Sequence, residues 1–135
     1  MKVLIDTNVI LDVLCNRKDF VEDSAKVFKL CEVKQITGYV SALSVANIVY
    51  VMRKELDNER IKQILDTLSL IFQITDLKAE DLECACKLDF KDFEDAVQSA
   101  QATRLKVDYI ITRNIKDYVK SKVMAIKPSE LLDRI

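Results

Sequence analysis

Residues 2–14 read KVLIDTNVILDVL, and this stretch decides how the rest of the chain is organised. Its first five residues form a short apolar run that ends in Asp6, which is typical of a buried strand. Val9, Ile10 and Val13 then repeat at helical spacing. A strand followed by helices predicts a crossover to a second, parallel strand. We therefore expect a parallel sheet with Asp6 at the carboxyl end of its first strand.

The same alternation of apolar runs and helical stripes continues along the chain. Four more strands are predicted, at residues 36–40, 72–75, 108–112 and 123–126. Each of the first three crossovers is long enough for two helices, and Pro128 suits the first turn of a closing helix. Strands separated by helices imply a parallel sheet covered by helices. We expect an α/β fold in a single domain, residues 1–135.

Polar residues mark several helix starts. Ser41 and Asp57 each precede an apolar helical stripe and are predicted N-caps. Asp19 with Glu22 matches the D-x-x-E capping box, which predicts a third start. These signals set the boundaries of the helices between the first and third strands.

Composition excludes several classes of function. The chain has no histidine, so Ser-His-Asp and Cys-His nucleophile systems and histidine metal sites are absent. Its one glycine, Gly38, cannot build a G-x-G-x-x-G fingerprint or a P-loop. Net charge is −1, so binding of nucleic acid would need a local patch or bound cations. The chemistry is left to the 22 aspartates and glutamates.

No secretory signal or membrane span is predicted. Asp6 and Asp12 interrupt the first apolar run, and no stretch of about 18 uncharged apolar residues exists. The cysteines match no zinc-site spacing: Cys15, Cys31, Cys84 and Cys86. We expect them to be small buried hydrophobic residues in a reducing, cytoplasmic protein that does not contact a membrane.

Polar residues converge on one edge of the predicted sheet, where ligands of open parallel sheets bind. The set is Asp6, Asn47, Asp92, Asp95, Asn114 and Asp117. Asp92 and Asp95 lie three residues apart in a first helical turn and project from the same side. Carboxylates that share a cleft raise one another's pKa or recruit a cation, and an all-oxygen set selects Mg²⁺ or Mn²⁺. The pattern favours metal-assisted phosphodiester hydrolysis.

Each of these residues also has a structural interpretation. Asp6 or Asp92 alone is equally suited to capping a helix, where acids favour the dipole. Asp117 alone is typical of a surface charge, and Asn47 of a hydrogen-bonded structural residue. The hypothesis therefore rests on the whole set and not on one position.

Three motifs, taken in order, resemble the PIN-domain family. VLIDTNVILDVL at 3–14 is similar to the family's opening strand with its D-T-N/S signature. DFEDAVQSAQA at 92–102 is similar to its D-x-x-D-A helix, and YIITRNIKDY at 109–118 to its T-R-D/N strand end with an acid shortly after. KPSELL at 127–132 resembles the last helix of the family. The resemblance covers nearly the whole chain.

The resemblance implies a Rossmann-like three-layer α/β/α sandwich with a parallel sheet of about five strands. It also implies an endoribonuclease that depends on Mg²⁺ or Mn²⁺ and leaves a 5′-phosphate and a 3′-hydroxyl. Many small bacterial and archaeal members are toxins held inactive by a cognate antitoxin, and many are homodimers. RNA, an antitoxin and a second copy of the chain are the partners to expect.

The family's site residues carry over to matching positions. The implied metal ligands are Asp6, Asp95, Asp92 and Asn114. Asp6 and Asp95 are the principal catalytic acids, and Asp117 or Asp92 orients the attacking water or accepts its proton. The implied supporting residues are Asn8, Asn47 and Thr112. On charge alone, and not from the resemblance, five cations are candidates to position the RNA backbone: Arg53, Lys54, Arg104, Arg113 and Lys116. A role as a helix-end or surface charge suits each of them at least as well.

Two departures from the family pattern leave alternatives open. Asn47 stands where the family usually has Glu or Asp, and Asn114 where it often has Asp. Asparagine binds a hard cation through its carbonyl but adds no charge and cannot act as a base. One alternative is thus a catalytically weakened PIN domain that binds RNA or protein. A third interpretation is a receiver-like phospho-acceptor domain, which Thr112 and Lys127-Pro128 also suit.

Overall fold

The computed structural model describes all 135 residues, Met1 to Ile135. The strands are β1 (Lys2–Ile5), β2 (Thr37–Ser41), β3 (Gln73–Thr75), β4 (Tyr109–Ile111) and β5 (Ala125–Ile126). The helices are α1 (Thr7–Leu14), α2 (Val21–Glu32), α3 (Ala42–Val51), α4 (Asn58–Ile71), α5 (Ala79–Cys86), α6 (Phe93–Leu105) and α7 (Pro128–Asp133). A 3₁₀ helix, Ile115–Tyr118, follows β4. The predicted element order is confirmed, and none of the helices is both long and apolar enough to cross a bilayer.

The five strands form one parallel sheet in the order β3-β2-β1-β4-β5. β1 lies at the centre, with Val3 opposite Gly38 of β2 and Ile5 opposite Ile111 of β4. After β1 the chain adds β2 and β3 towards one edge of the sheet. It then returns to add β4 and β5 on the other flank of β1, towards the opposite edge. The strand order therefore reverses between β1 and β4, where both strands end beside each other.

Alternate residues of β1 face two separate cores, which shows that helices cover both sides of the sheet. Val3 and Ile5 lie in the larger core with residues of α1, α2, α3, α4 and α7. Leu4 lies in a smaller core with Ala102 of α6 and Tyr118 of the 3₁₀ helix. The predicted three-layer α/β/α sandwich with a five-stranded parallel sheet is confirmed.

Gly38 is required because β2 passes very close to its neighbours. A Cβ atom at this position would lie 2.6 Å from Cys31 Sγ and 2.8 Å from Phe72 Cδ1. Both neighbours are buried in the larger core and have no room to move. The lone glycine therefore fixes the distance between β2 and the helical layer.

Two of the three predicted helix caps are correct. Ser41 Oγ accepts a hydrogen bond from the Leu43 amide, and Asp57 Oδ1 accepts one from the Arg60 amide. The capping box at Asp19 is wrong, because α2 begins at Val21 after Phe20. The carbonyl of Arg17 accepts from the amides of Phe20 and Val21, so a backbone turn replaces the side-chain cap.

The prediction of buried cysteines is correct only for Cys31. Cys15, Cys84 and Cys86 are exposed, and all four thiols are free. Burial raises the pKa of the Cys31 thiol to about 12, so this side chain behaves as a small apolar group. The exposed three lie at helix ends or on the outer face of α5, where no core element covers them.

Candidate functional site

A cleft of about 470 Å³ opens at the carboxyl ends of β1 and β4, where the strand order reverses. Ligands of open parallel sheets bind at such points. Five carboxylates line the cleft, and no lysine or arginine does: Asp6, Asp92, Glu94, Asp95 and Asp117. Three amide side chains also line it: Asn8, Asn47 and Asn114. The acids and amides predicted to converge at this sheet edge therefore share one cavity.

Asp6, at the end of β1, is held by two neutral donors. Its side chain is buried, and Oδ2 accepts a hydrogen bond of 2.7 Å from the Thr112 hydroxyl at the end of β4. Oδ1 accepts a hydrogen bond of 2.9 Å from Gln98 Nε2 on α6. Burial raises the pKa of Asp6, and these two hydrogen bonds only partly oppose the rise.

Thr112 and Gln98 are oriented for this contact. The Thr112 hydroxyl accepts from the backbone amide of Asn114 at 3.1 Å, which leaves its proton for Asp6. Gln98 keeps its amino group towards Asp6 although its own Oε1 is buried without a hydrogen-bond donor. An orphaned buried carbonyl is unfavourable, so the contact with the carboxylate decides the orientation.

Asp95, in the first turn of α6, is linked to Asp6 through Gln98 and Tyr118. Gln98 Nε2 lies 3.4 Å from the Tyr118 hydroxyl, and that hydroxyl donates to Asp95 Oδ1 at 3.2 Å. Burial, followed by repulsion from Asp6 and Asp92, raises the pKa of Asp95 to about 7. Burial, followed by the charges of Asp6 and Asp95, also raises the pKa of Tyr118, which keeps its hydroxyl proton for donation.

Asp92 lines the cleft and also caps α6. Its Oδ1 accepts from the amides of Glu94 and Asp95, at 2.8 Å and 3.3 Å. The structural interpretation of Asp92 as an N-cap is therefore confirmed. One carboxylate oxygen is committed to the helix, and only the other is available to a ligand.

Glu94 is the cleft residue that sequence reasoning missed. Its Oε1 lies 3.5 Å from the Thr7 hydroxyl, which in turn lies 2.7 Å from Ser44 Oγ of α3. Burial, with repulsion from Asp92 and Asp6, raises the pKa of Glu94, and the neighbouring polar side chains of Asn47 and Thr7 oppose the rise. Glu94 thus places a carboxylate beside Asn47, where the acid expected on α3 is missing. The sequence signal for Glu94 was its position between Asp92 and Asp95 in the acidic stretch DFED, residues 92–95.

The predicted RNA-binding cations do not line the cleft. Arg113 Nε lies 2.9 Å from the buried carboxylate of Asp12, and Arg104 forms a two-point ion pair with Asp81. Arg53 stacks 4.2 Å from the ring of Tyr50, which itself lines the cleft. The exposed Lys54 and Lys116 also lie outside the cleft, although Lys116 lines an adjoining groove.

The donor chemistry of the cleft fits a hard divalent cation, although the carboxylates do not form a closed cage. No three acidic or cysteine side chains are close enough together to hold one ion. Oxygen ligands without thiolate or imidazole suit Mg²⁺ or Mn²⁺, and Mg²⁺ is usually held by one or two carboxylates with several waters. The uncompensated charge of Asp6 and its neighbours provides the attraction.

Comparisons with known proteins agree with this architecture. The family model described as PIN domain matches residues 2–116. No curated protein matches the chain. The fold is similar to VapBC2 from Rickettsia felis bound to a DNA fragment from the promoter, at 17% identity and TM-score 0.73, covering 94% of this chain and 98% of that one.

Two other solved structures share this fold. FitAcB from Neisseria gonorrhoeae is 20% identical with TM-score 0.70, covering 94% of this chain and 98% of that one. VapC20 from Mycobacterium tuberculosis, a sarcin-ricin loop cleaving toxin, is 13% identical with TM-score 0.62, covering 80% and 86%. Identities this low establish the shared fold alone.

Proposed function

The chain belongs to the PIN-domain family, and from this premise we propose that it is a metal-dependent endoribonuclease, the toxin of a toxin–antitoxin pair. The observation that carries the proposal is the cleft lined by five carboxylates and no cation, with Asp6 buried beside neutral donors. Such a charge excess is costly unless a cation or a protonated state relieves it. Membership of the PIN family argues against the receiver-like phospho-acceptor alternative.

Mg²⁺ or Mn²⁺ is the proposed cofactor, with Asp6 and Asp95 as its carboxylate ligands and the Asn114 carbonyl beside them. When bound, the ion would neutralise these acids, lower the pKa of water and stabilise charge on the phosphate. Thr112, Gln98 and Tyr118 hold the two carboxylates in place from behind. Asn8 and Asn47 add neutral polar contacts from α1 and α3.

Asp117 is the better candidate to accept the proton of the attacking water. Asp92 was the other candidate, but its Oδ1 is occupied by two amide protons of α6. Asp117 follows β4 on the 3₁₀ helix and is exposed at the cleft. An exposed carboxylate exchanges its proton with solvent readily after each turnover. We propose products with a 5′-phosphate and a 3′-hydroxyl.

Three further parts of the proposal concern partners and location. The structural neighbours include VapBC and FitAB complexes bound to DNA and a toxin–antitoxin complex from Klebsiella pneumoniae. These support an antitoxin as the partner of this chain. A homodimer and a cytoplasmic location complete the proposal.

Cleavage of a labelled single-stranded RNA with added Mn²⁺ tests the activity. Wild-type protein should cut, EDTA should stop cleavage, and Asp6→Asn or Asp95→Asn should slow it by at least about a hundredfold. Asp66→Asn, an exposed aspartate on α4, is the matched control and should cut normally. Cleavage that survives in Asp6→Asn contradicts the assignment.

A second candidate function is binding of RNA or protein without cleavage. The amides at Asn47 and Asn114, together with the lack of a three-carboxylate cage, favour this alternative. Wild-type protein that binds the RNA in Mn²⁺ and leaves it intact would support it.

A further inference from the structure

A second groove of about 750 Å³ adjoins the catalytic cleft. The two share one wall, formed by Asp92, Asp95 and Asp117. The rest of the groove consists of Asp89, Phe90, Lys91, Lys116, Val119 and Lys120, from the α5–α6 connection and the 3₁₀ helix. We call it the lysine groove. A ligand in the cleft that extends past the shared wall enters it directly.

The two cavities differ in charge. The cleft carries five carboxylates and no lysine or arginine, so its side chains repel a phosphate backbone. The unshared part of the lysine groove carries three lysines against one aspartate. Lys120 forms an ion pair with Asp89, whereas Lys91 and Lys116 form no salt bridge. Two unpaired ammonium groups therefore lie next to an acidic site.

The lysine groove also offers apolar surface. Phe90 packs edge-on against Tyr118 with ring centroids 6.2 Å apart and remains partly exposed. Val119 is 77% exposed. Unpaired cations beside an aromatic and an aliphatic side chain are the combination that binds single-stranded nucleic acid, because unstacked bases need an apolar surface.

We propose that the lysine groove holds the single-stranded RNA that flanks the bond to be cut. Lys91 and Lys116 contact backbone phosphates, and Phe90 and Val119 face a base. The acidic cleft then receives only the phosphate at the scissile bond. This inference rests on the proposed nuclease function and adds the path of the strand.

The test compares two double variants with the same change in net charge. Lys91→Ala/Lys116→Ala removes the unpaired cations of the groove, and Lys29→Ala/Lys62→Ala removes exposed lysines of α2 and α4. Affinity for a fluorescein-labelled single-stranded RNA is measured by anisotropy in Mg²⁺ over a range of salt, in an Asp6→Asn background that blocks cleavage. The KM for cleavage is measured in the wild-type background.

The groove variant should lose about tenfold in affinity, and the slope of log affinity against log salt should fall by about 1.4, which is about 0.7 for each phosphate contact on a single strand. Its KM should rise with little change in kcat. The control variant should keep the parent slope, and Lys91→Arg/Lys116→Arg should restore binding if the loss is one of charge and not of folding.

Three outcomes overturn the inference. Equal affinity and slope in the groove and control variants would show that the strand does not contact Lys91 and Lys116. Equal affinity for a duplex would contradict the single-stranded path. In either case cleavage by the wild-type protein leaves the nuclease proposal standing. A wild-type protein that neither binds nor cuts RNA overturns both proposals.

Discussion

Two buried aspartates at the two ends of one short helix have opposite surroundings, one charged and one neutral. Asp12, near the end of α1, is fully buried and lies within 3.4 Å of Arg17 and 2.9 Å of Arg113. Asp6, immediately before α1, is almost as buried but contacts the neutral Thr112 and Gln98. Asp12 forms ion pairs with two arginines, whereas Asp6 forms none, and its charge is only partly offset by the more distant Arg113.

The difference separates a carboxylate that is neutralised within the fold from one that is left open to the cleft. Asp81, another buried aspartate, is paired with Arg104 at 2.8 Å and behaves like Asp12. A buried charge needs a partner, and the protein supplies an arginine wherever the carboxylate serves only the fold. Asp6 is the exception, and it lies where four more carboxylates line the same cleft.

The largest expected effect is on stability at Asp12. Asp12→Asn removes a fully buried charge and leaves Arg17 and Arg113 without their partner, which should lower the free energy of unfolding by about 3 kcal/mol. Asp6→Asn removes a charge that forms no ion pair and should change the free energy of unfolding by less than about 1 kcal/mol. Urea denaturation measures both. Equal losses of unfolding free energy in the two variants would contradict the distinction between Asp12 and Asp6.

The next effect concerns the acid that faces Asn47. Glu94→Gln should weaken Mn²⁺ binding about tenfold, because it removes one carboxylate from the cleft. Isothermal titration calorimetry measures the affinity, and Glu83→Gln, exposed on α5, is the control. Asn47→Asp/Glu94→Gln moves the carboxylate across the cleft and should restore binding. Unchanged affinity in Glu94→Gln would mean that Glu94 does not contribute.

The pH dependence of stability sharpens the comparison further. Burial and repulsion raise the pKa of Asp95 to about 7, so the folded state binds a proton that the unfolded state releases. This contribution to stability is complete below the ordinary pKa of an aspartate and is lost as pH rises through about 7. The pKa shifts of Asp6 and Glu94 act in the same direction.

The metal-free protein should therefore unfold more readily at about pH 7.5 than at about pH 5.5. We expect a difference on the order of 1 kcal/mol, reduced by solvent screening because Asp95 is partly exposed. Thermal unfolding in EDTA measures it, and Asp95→Asn should reduce it. Stability that rises over this range would contradict the unbalanced charge of the cleft.

The smallest effect lies beside Asp12. Arg113 stacks on Phe20 with its guanidinium 4.1 Å from the ring centre. Phe20→Leu keeps an apolar side chain at this position but removes the cation–π interaction. It should lower the free energy of unfolding by about 0.5 kcal/mol, because Phe20 is partly exposed. Chemical denaturation with replicate fits resolves the difference. A loss as large as that of Asp12→Asn would mean that stacking, not the ion pair, holds Arg113.

The order of elements could be predicted because apolar runs and helical stripes are local signals. Helix faces were harder to assign at the sheet edge. Asp95 does lie at that edge, as expected from the first turn of α6 that it shares with Asp92. Asp19 failed as a cap, because the Arg17 carbonyl accepts from the amides of Phe20 and Val21 and the helix begins two residues after Asp19.

The partners of the site could not be predicted, because they depend on contacts distant in sequence. Nothing local to Arg113 indicates that its guanidinium pairs with Asp12 and stacks on Phe20, rather than turning towards RNA. Gln98 was missed for the same reason, although it lies one turn after Asp95 on the same face of α6. To predict that Glu94 belongs to the site, one would need to know that α3 places Asn47 in the same cleft.

The hydrogen bond from Thr112 to Asp6 joins residues 106 positions apart in the chain. β1 lacks its neighbour β4 until the ribosome has passed residue 112 and the long intervening loop has closed. Nascent chains, and fragments cut anywhere between these residues and allowed to separate, therefore lack the assembled cleft. The cleft is therefore assembled late in synthesis, after nearly the whole chain has become available to fold.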